Sequence, residues 1–146
     1  MNPTPKGWPR ISSCLYYQDP AEAIRWLIKV FGFELRLLVE GEGGSVEHSE
    51  LTYGEGLIMV GGAGKSDRPG QEKMVSPATL AGGNTQSLCV YVDDVDSHHD
   101  HAVSQGARVV REPATHDYGD DYWSDRSYGV LDVEGHLWWF MQRIRG

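Results

Sequence analysis

Cysteine is almost absent, with only Cys14 and Cys89 among 146 residues. So sparse a pair is no disulfide framework, and a chain of this length can bury a core that needs no covalent staple. Neither cysteine has a lysine, arginine or histidine within three residues. Both are therefore read as free, small side chains rather than activated nucleophiles. Basic residues are also few: 13 Lys and Arg stand against 21 Asp and Glu, a formal charge of -8. With no basic cluster to offset that charge, a phosphate backbone or an anionic membrane surface is repelled. The expectation is no nucleic acid and no membrane among the partners. No apolar run approaches spanning length, and residues 1–10 hold Pro3, Pro5 and Pro9 but no hydrophobic signal segment. This reads as an extended arm on a cytoplasmic protein.

Repetition, by contrast, is plain. Ser12-Ser13-Cys14-Leu15-Tyr16-Tyr17-Gln18-Asp19 returns 75 positions later as Ser87-Leu88-Cys89-Val90-Tyr91-Val92-Asp93-Asp94. Both copies read S-x-C-x-Y-x-x-D, and each alternates as a strand does, so its residues point to opposite faces. One stripe is Ser13, Leu15 and Tyr17 with Leu88, Val90 and Val92. The other is Ser12, Cys14 and Tyr16 with Ser87, Cys89 and Tyr91, a small, polar and aromatic set suited to the wall of a ligand cavity.

The residues C-terminal to each copy repeat as well. Asp19 caps a helix with Pro20 in its first position and Glu22 three residues past the cap. Ile24, Leu27, Ile28 and Phe31 give it one apolar face, and Gly32 ends it. Strands are predicted at 33–40, 46–53 and 57–60, with glycine-rich turns between them. The second copy leads to a helix from Asp94 to Gly106, then strands at 107–112, 127–133 and 137–142. A loop at 116–125 is dense in aspartate and carries Tyr118, Tyr122 and Trp123. The organisation is thus a first βαβββ module at 11–62, a connecting loop at 63–85 that serves as crossover or lid, and a second module at 86–142.

Some residues carry possible chemistry. On the last strand, alternation sets Leu137, Trp139 and Met141 opposite Trp138 and Phe140. Tyr122, Trp123 and Trp139 offer a stacking surface for a flat or cationic ligand. His48 and Glu50 are two apart on one strand and share a face, the arrangement a general acid-base pair needs. The run His98-His99-Asp100-His101 is read as a solvated helical face, and His116 as a plain surface position in the acidic aromatic loop, with a rim contact to ligand as the alternative.

The paired openings, the run from Asp132 through Gly135 and His136 to Phe140, and the preceding Arg126-Ser127-Tyr128-Gly129 together resemble the vicinal oxygen chelate superfamily. That family includes glyoxalase I, extradiol dioxygenases, and fosfomycin and bleomycin resistance proteins. The resemblance implies an α+β fold, a single glyoxalase-like domain over 1–146 whose tandem modules curl a mixed sheet into a cup with helices outside. It implies a turn-stabilising His136 and a homodimer. Catalytic members hold a divalent metal with His, Gln or Glu from the first and fourth strands of both modules. Those positions fall here on Ser12, Ser87, Trp139 and a site near Met59, none a usual ligand. The expectation is therefore a small-molecule-binding protein of the resistance type, without metal or other cofactor. Its ligand contacts would be Ser12, Cys14, Tyr16, Met59, Ser87, Cys89, Tyr91, Tyr122, Trp123 and Trp139. The alternative is a glyoxalase-like lyase, isomerase or dioxygenase working through His48 and Glu50.

Overall fold

Each copy of the repeated octapeptide becomes a strand that runs into a capped helix. The computed structural model describes residues 1–146, which group into two units, Met1–Thr79 and Leu80–Gly146. In the first unit, β1 (Ser13–Tyr17) buries Leu15 and Tyr17 almost completely. The Asp19 carboxylate then accepts the Glu22 N–H at 3.1 Å and opens α1 (Pro20–Trp26). The helix continues as a π-helical turn over Leu27–Phe31, and Gly32, at φ 86°, stops it. That winding alters the predicted apolar face: Val30 is buried and Ile28 is 37% exposed. A π turn rotates less per residue than an α turn, which brings Val30 toward the sheet in place of Ile28.

The sheet of this unit is completed by β2 (Glu34–Glu40), β3 (Val46–Tyr53) and β4 (Gly56–Gly62), in the order β1-β4-β3-β2. β1 runs parallel to β4 and the other neighbours are antiparallel. The β3–β4 ladder stops at Leu51↔Ile58. Beyond it, Ser49 Oγ donates to the Val60 carbonyl at 2.7 Å and accepts the Val60 N–H at 2.9 Å. One hydroxyl thus satisfies both backbone groups of a buried residue that has left the ladder. The N-terminal arm is held by Arg36, which donates to the carbonyls of Lys6 at 3.0 Å and Gly7 at 3.1 Å.

The second unit repeats the plan. After β5 (Ser87–Tyr91), Asp94 accepts the Ser97 N–H at 3.0 Å and caps α2 (Val95–Ser104). The strands β6 (Arg108–Asp117), β7 (Ser124–Leu131) and β8 (Leu137–Arg145) complete a sheet ordered β5-β8-β7-β6. Here the sheet is longer than predicted. Pairing continues from Ala114↔Ser127 to Asp117↔Ser124, so the acidic loop contracts to 118–123. Register shifts on either side of Arg111 accommodate Pro113, which has no N–H to give the ladder.

Asp132 shapes the last turn. Its Oδ1 accepts the N–H groups of Glu134, Gly135 and His136, and its Oδ2 accepts Trp138 Nε1 at 3.0 Å. Trp138, Phe140 and Tyr128 are fully buried. α2 has few large apolar residues to set against them, and histidine fills the gap: His98 Nδ1 lies 2.6 Å from the Tyr128 hydroxyl, its ring 4.0 Å from that of Phe140. His99 bridges Asp100 at 2.9 Å and Glu112 at 3.0 Å. These two imidazoles are packing groups, not the solvated face predicted for the run. No helix is long and apolar enough to cross a membrane.

Candidate functional site

The face of the first sheet opposite α1 carries Cys14 and Tyr16, paired in register with Met59 and Gly61 on β4. At Gly61 a Cβ would meet the Tyr16 ring at 3.4 Å, so glycine leaves room for the phenol to lie along the strand. A cavity of about 870 Å³ opens on this face, lined among others by Cys14, Tyr16, His48, Met59, Lys65 and Arg68. Its origin is the parting of β3 from β4 at Ser49, because Val46 to Ser49 form one wall and Met59 to Gly62 another. Such a volume falls within the usual range for small-molecule sites. Ser12, expected here, lies outside the lining. Residues 65–68 and Gln71 of the connecting loop complete the wall.

Burial raises the pKa of two groups of the lining. The Cys14 thiol is pushed up by desolvation, against a smaller lowering from its hydrogen bond with Tyr16. The Tyr16 phenol is pushed up to about 12, by burial first and then by Cys14. Both groups are neutral at physiological pH, which makes the thiol a poor nucleophile. His48 Nε2 lies 2.7 Å from Glu50 Oε2. The other oxygen of Glu50, a buried residue, is 3.5 Å from Arg36 Nη1. Glu50 thus joins the cavity histidine to the arginine that holds the N-terminal arm.

In the second unit the face opposite α2 holds Ser87, Cys89 and Tyr91, all exposed. The row Cys89–Trp139–Gly129–Arg111 runs across four strands. A Cβ on Gly129 would sit 2.8 Å from the Trp139 ring. The indole therefore lies over this glycine, with the Arg111 guanidinium 5.8 Å from its centre. Trp123 groups with Tyr118, ring centres 5.4 Å apart, and with Tyr122 at 6.4 Å. The predicted aromatic surface is thus two features, Trp139 on the sheet and the other rings on the loop.

Sequence reading missed Asp125, which is buried on β7 beneath those loop aromatics. Placing the start of that strand at 127 hid it, although Asp125 continues the alternation of Ser127 and Gly129.

The donor set does not fit the divalent metal that related folds bind. The corresponding positions offer two hydroxyls, a thioether and an indole (Ser12, Ser87, Met59 and Trp139), and no three His, Cys, Asp or Glu side chains converge as a metal site.

Comparison with known proteins agrees with this architecture. Residues 10–140 match the model of the Glyoxalase/Bleomycin resistance protein/Dioxygenase superfamily. An uncharacterized protein of Mycobacterium bovis is 30% identical over 139 residues, covering 94% of this chain and 85% of that one. The crystal structure of TioX from Micromonospora sp. ML1 superposes with a TM-score of 0.66 at 35% identity, covering 92% of this chain and 95% of its own. A glyoxalase/bleomycin resistance protein/dioxygenase from Alicyclobacillus acidocaldarius shares the fold at 14% identity, with a TM-score of 0.61 and coverages of 97% and 96%. On the repeated strand-helix-sheet plan and on these matches, the chain belongs to the glyoxalase/bleomycin resistance protein/dioxygenase superfamily.

Proposed function

We propose that this chain binds a small organic molecule and does so without the metal used by catalytic relatives. The observation that carries the reading is the cavity of about 870 Å³ where β3 and β4 part, whose lining sets Cys14, Tyr16 and Met59 beside charged side chains such as Asp19, Lys65 and Arg68. A small molecule with an apolar part and several polar groups fits such a wall. In the second unit, the exposed Tyr91 and Trp123 rings offer a separate aromatic surface of their own. The test uses 2-naphthol, a flat neutral fluorophore, titrated near neutral pH. Saturable binding is expected, and Cys14→Trp, which fills the cavity, should weaken it about tenfold or more. Undiminished binding by a folded Cys14→Trp protein would remove the cavity as the site. Elemental analysis after incubation with Ni, Zn, Mn or Fe(II) and desalting should show no stoichiometric metal.

One observation favours a second reading. The His48 imidazole lines the cavity and is hydrogen-bonded at 2.7 Å to a buried carboxylate, an arrangement that orients a general base. In a glyoxalase-like lyase, isomerase or dioxygenase of this kind, His48 would move the proton and Glu50 would fix its tautomer. Any turnover found should then fall by a factor of about a hundred or more in His48→Ala while 2-naphthol binding persists. Turnover unchanged in that variant would remove His48 from the chemistry.

A further inference from the structure

The second unit contains a carboxylate that its own hydrogen bonding leaves half used. Asp125 is 3% exposed. Its Oδ2 accepts the Trp123 indole N–H at 3.3 Å, whereas its Oδ1, enclosed alongside, has no donor in good hydrogen-bonding geometry. An enclosed acceptor without a donor costs about 1–3 kcal/mol, and more when charged. A native structure that keeps one calls for a reason, such as a partner that arrives from outside. Arg143 is the cross-strand neighbour of Asp125 but is exposed and forms no ion pair with it.

Around this carboxylate stand four large aromatic side chains, all strongly exposed: Tyr91 at 52%, Tyr118 at 50%, Tyr122 at 64% and Trp123 at 44%. Desolvation first, then the charge of Asp125, with a hydrogen bond to the Asp125 side chain as the smallest contribution, hold the Tyr91 phenol protonated, so a ligand at this carboxylate displaces that hydroxyl. The loop that carries the other three is fixed rather than draped. Arg145 Nη2 donates to Asp117 Oδ1 at 2.6 Å and to the Gly119 carbonyl at 3.2 Å, and the Tyr118 N–H meets the Trp123 carbonyl at 3.0 Å. The same stretch adds Asp120 and Asp121, with no lysine or arginine between 117 and 125. Aromatic faces around an enclosed anion, in a negative field, attract an organic cation.

We propose that Asp125, Tyr91, Tyr118 and Trp123 form a site for a protonated primary or secondary amine attached to a flat apolar group. The ammonium N–H donates to Asp125 Oδ1, reached as the half-exposed Tyr91 ring turns aside, while Trp123 and Tyr118 cover the carbon frame. This assignment rests on the ligand-binding reading and names the chemical class for the face of the second unit. A quaternary ammonium has no N–H and leaves Oδ1 unpaired, so the site discriminates against it.

The test compares 2-phenylethylammonium with 2-phenylethanol and with (2-phenylethyl)trimethylammonium on the full chain near neutral pH. Binding is followed by the NMR signal of the Trp123 indole N–H, assigned with Trp123→Phe. The primary amine should shift that signal saturably and bind about tenfold or more tightly than either comparison compound. In Asp125→Asn, with folding checked by its amide spectrum, the preference should vanish. The comparison of three ligands on the unaltered protein decides the matter even where that variant does not fold. If the alcohol binds as well as the amine, or the quaternary cation does, the amine assignment is overturned while a ligand face remains. Preference surviving in a folded Asp125→Asn protein overturns it too. If none of the three binds while 2-naphthol still does, the amine site falls and the cavity reading stands.

Discussion

At the scale of single residues, Tyr16 links packing to a measurable titration. Its phenol is pushed up to about 12, chiefly by burial, whereas an unfolded tyrosine ionises near 10. Between those values the unfolded chain gives up the proton first, so rising pH favours unfolding. The stabilising contribution is complete below about pH 10 and is lost as the pH climbs through about 12. Urea midpoints from pH 9 to 12 should therefore fall more steeply with Tyr16 present than in Tyr16→Phe. Both proteins should carry Cys14→Ser, which removes the thiol's own titration and leaves burial, the larger cause. Equal slopes would mean that Tyr16 is solvated. Asp132 shows the opposite use of a buried polar group: both its oxygens are fully engaged by the turn and by Trp138. Its role was legible, since an aspartate three residues before a glycine at the start of an apolar run is a turn signal. Asp125 was not, because its meaning depends on where β7 begins and on which rings fold over it.

The elements divide in the same way. Capped helices arise from Asp19-Pro20 and from Asp94, and β3 runs over the predicted residues, because such signals act within a few positions. The π turn after Trp26 and the extension of β6 through Pro113 are set by tertiary packing and were out of reach. Ser49 is the sharpest instance. It occupies a middle-strand position where an apolar residue would be ordinary, yet its hydroxyl replaces a rung of the ladder and so holds β3 and β4 apart where the cavity lies. Ser49→Ala should leave the buried N–H and carbonyl of Val60 without partners. A loss of about 2–4 kcal/mol is expected from urea denaturation. A loss below about 0.5 kcal/mol would show that the strands close into a regular ladder. In that event 2-naphthol binding should disappear with the cavity.

At the scale of the molecule, the repeat and the C-terminal run were enough to reach the family, because fold information is spread over many weak, consistent signals. Ligand identity is concentrated in a few side-chain directions and is not. Association of copies lies between these cases. β2 is an edge strand of its sheet and exposes Leu35 at 45%, Leu37 at 42% and Val39 at 43%. Exposed apolar residues along a free edge are a template for pairing with another chain unless charge or cover blunts them. Here the Arg36 guanidinium is occupied by the carbonyls of Lys6 and Gly7 and by Glu50, and so is poorly placed to repel a partner. We therefore propose a homodimer built on this edge. Light scattering coupled to size exclusion should give twice the chain mass, and Leu37→Lys should return the chain mass with the helical circular dichroism retained. A charge on the open edge opposes close pairing yet removes little from the core, since Leu37 is already substantially solvated. A monomeric wild type would dismiss the dimer. A Leu37→Lys protein that stays dimeric would move the interface away from β2 and leave its apolar row without a role in assembly.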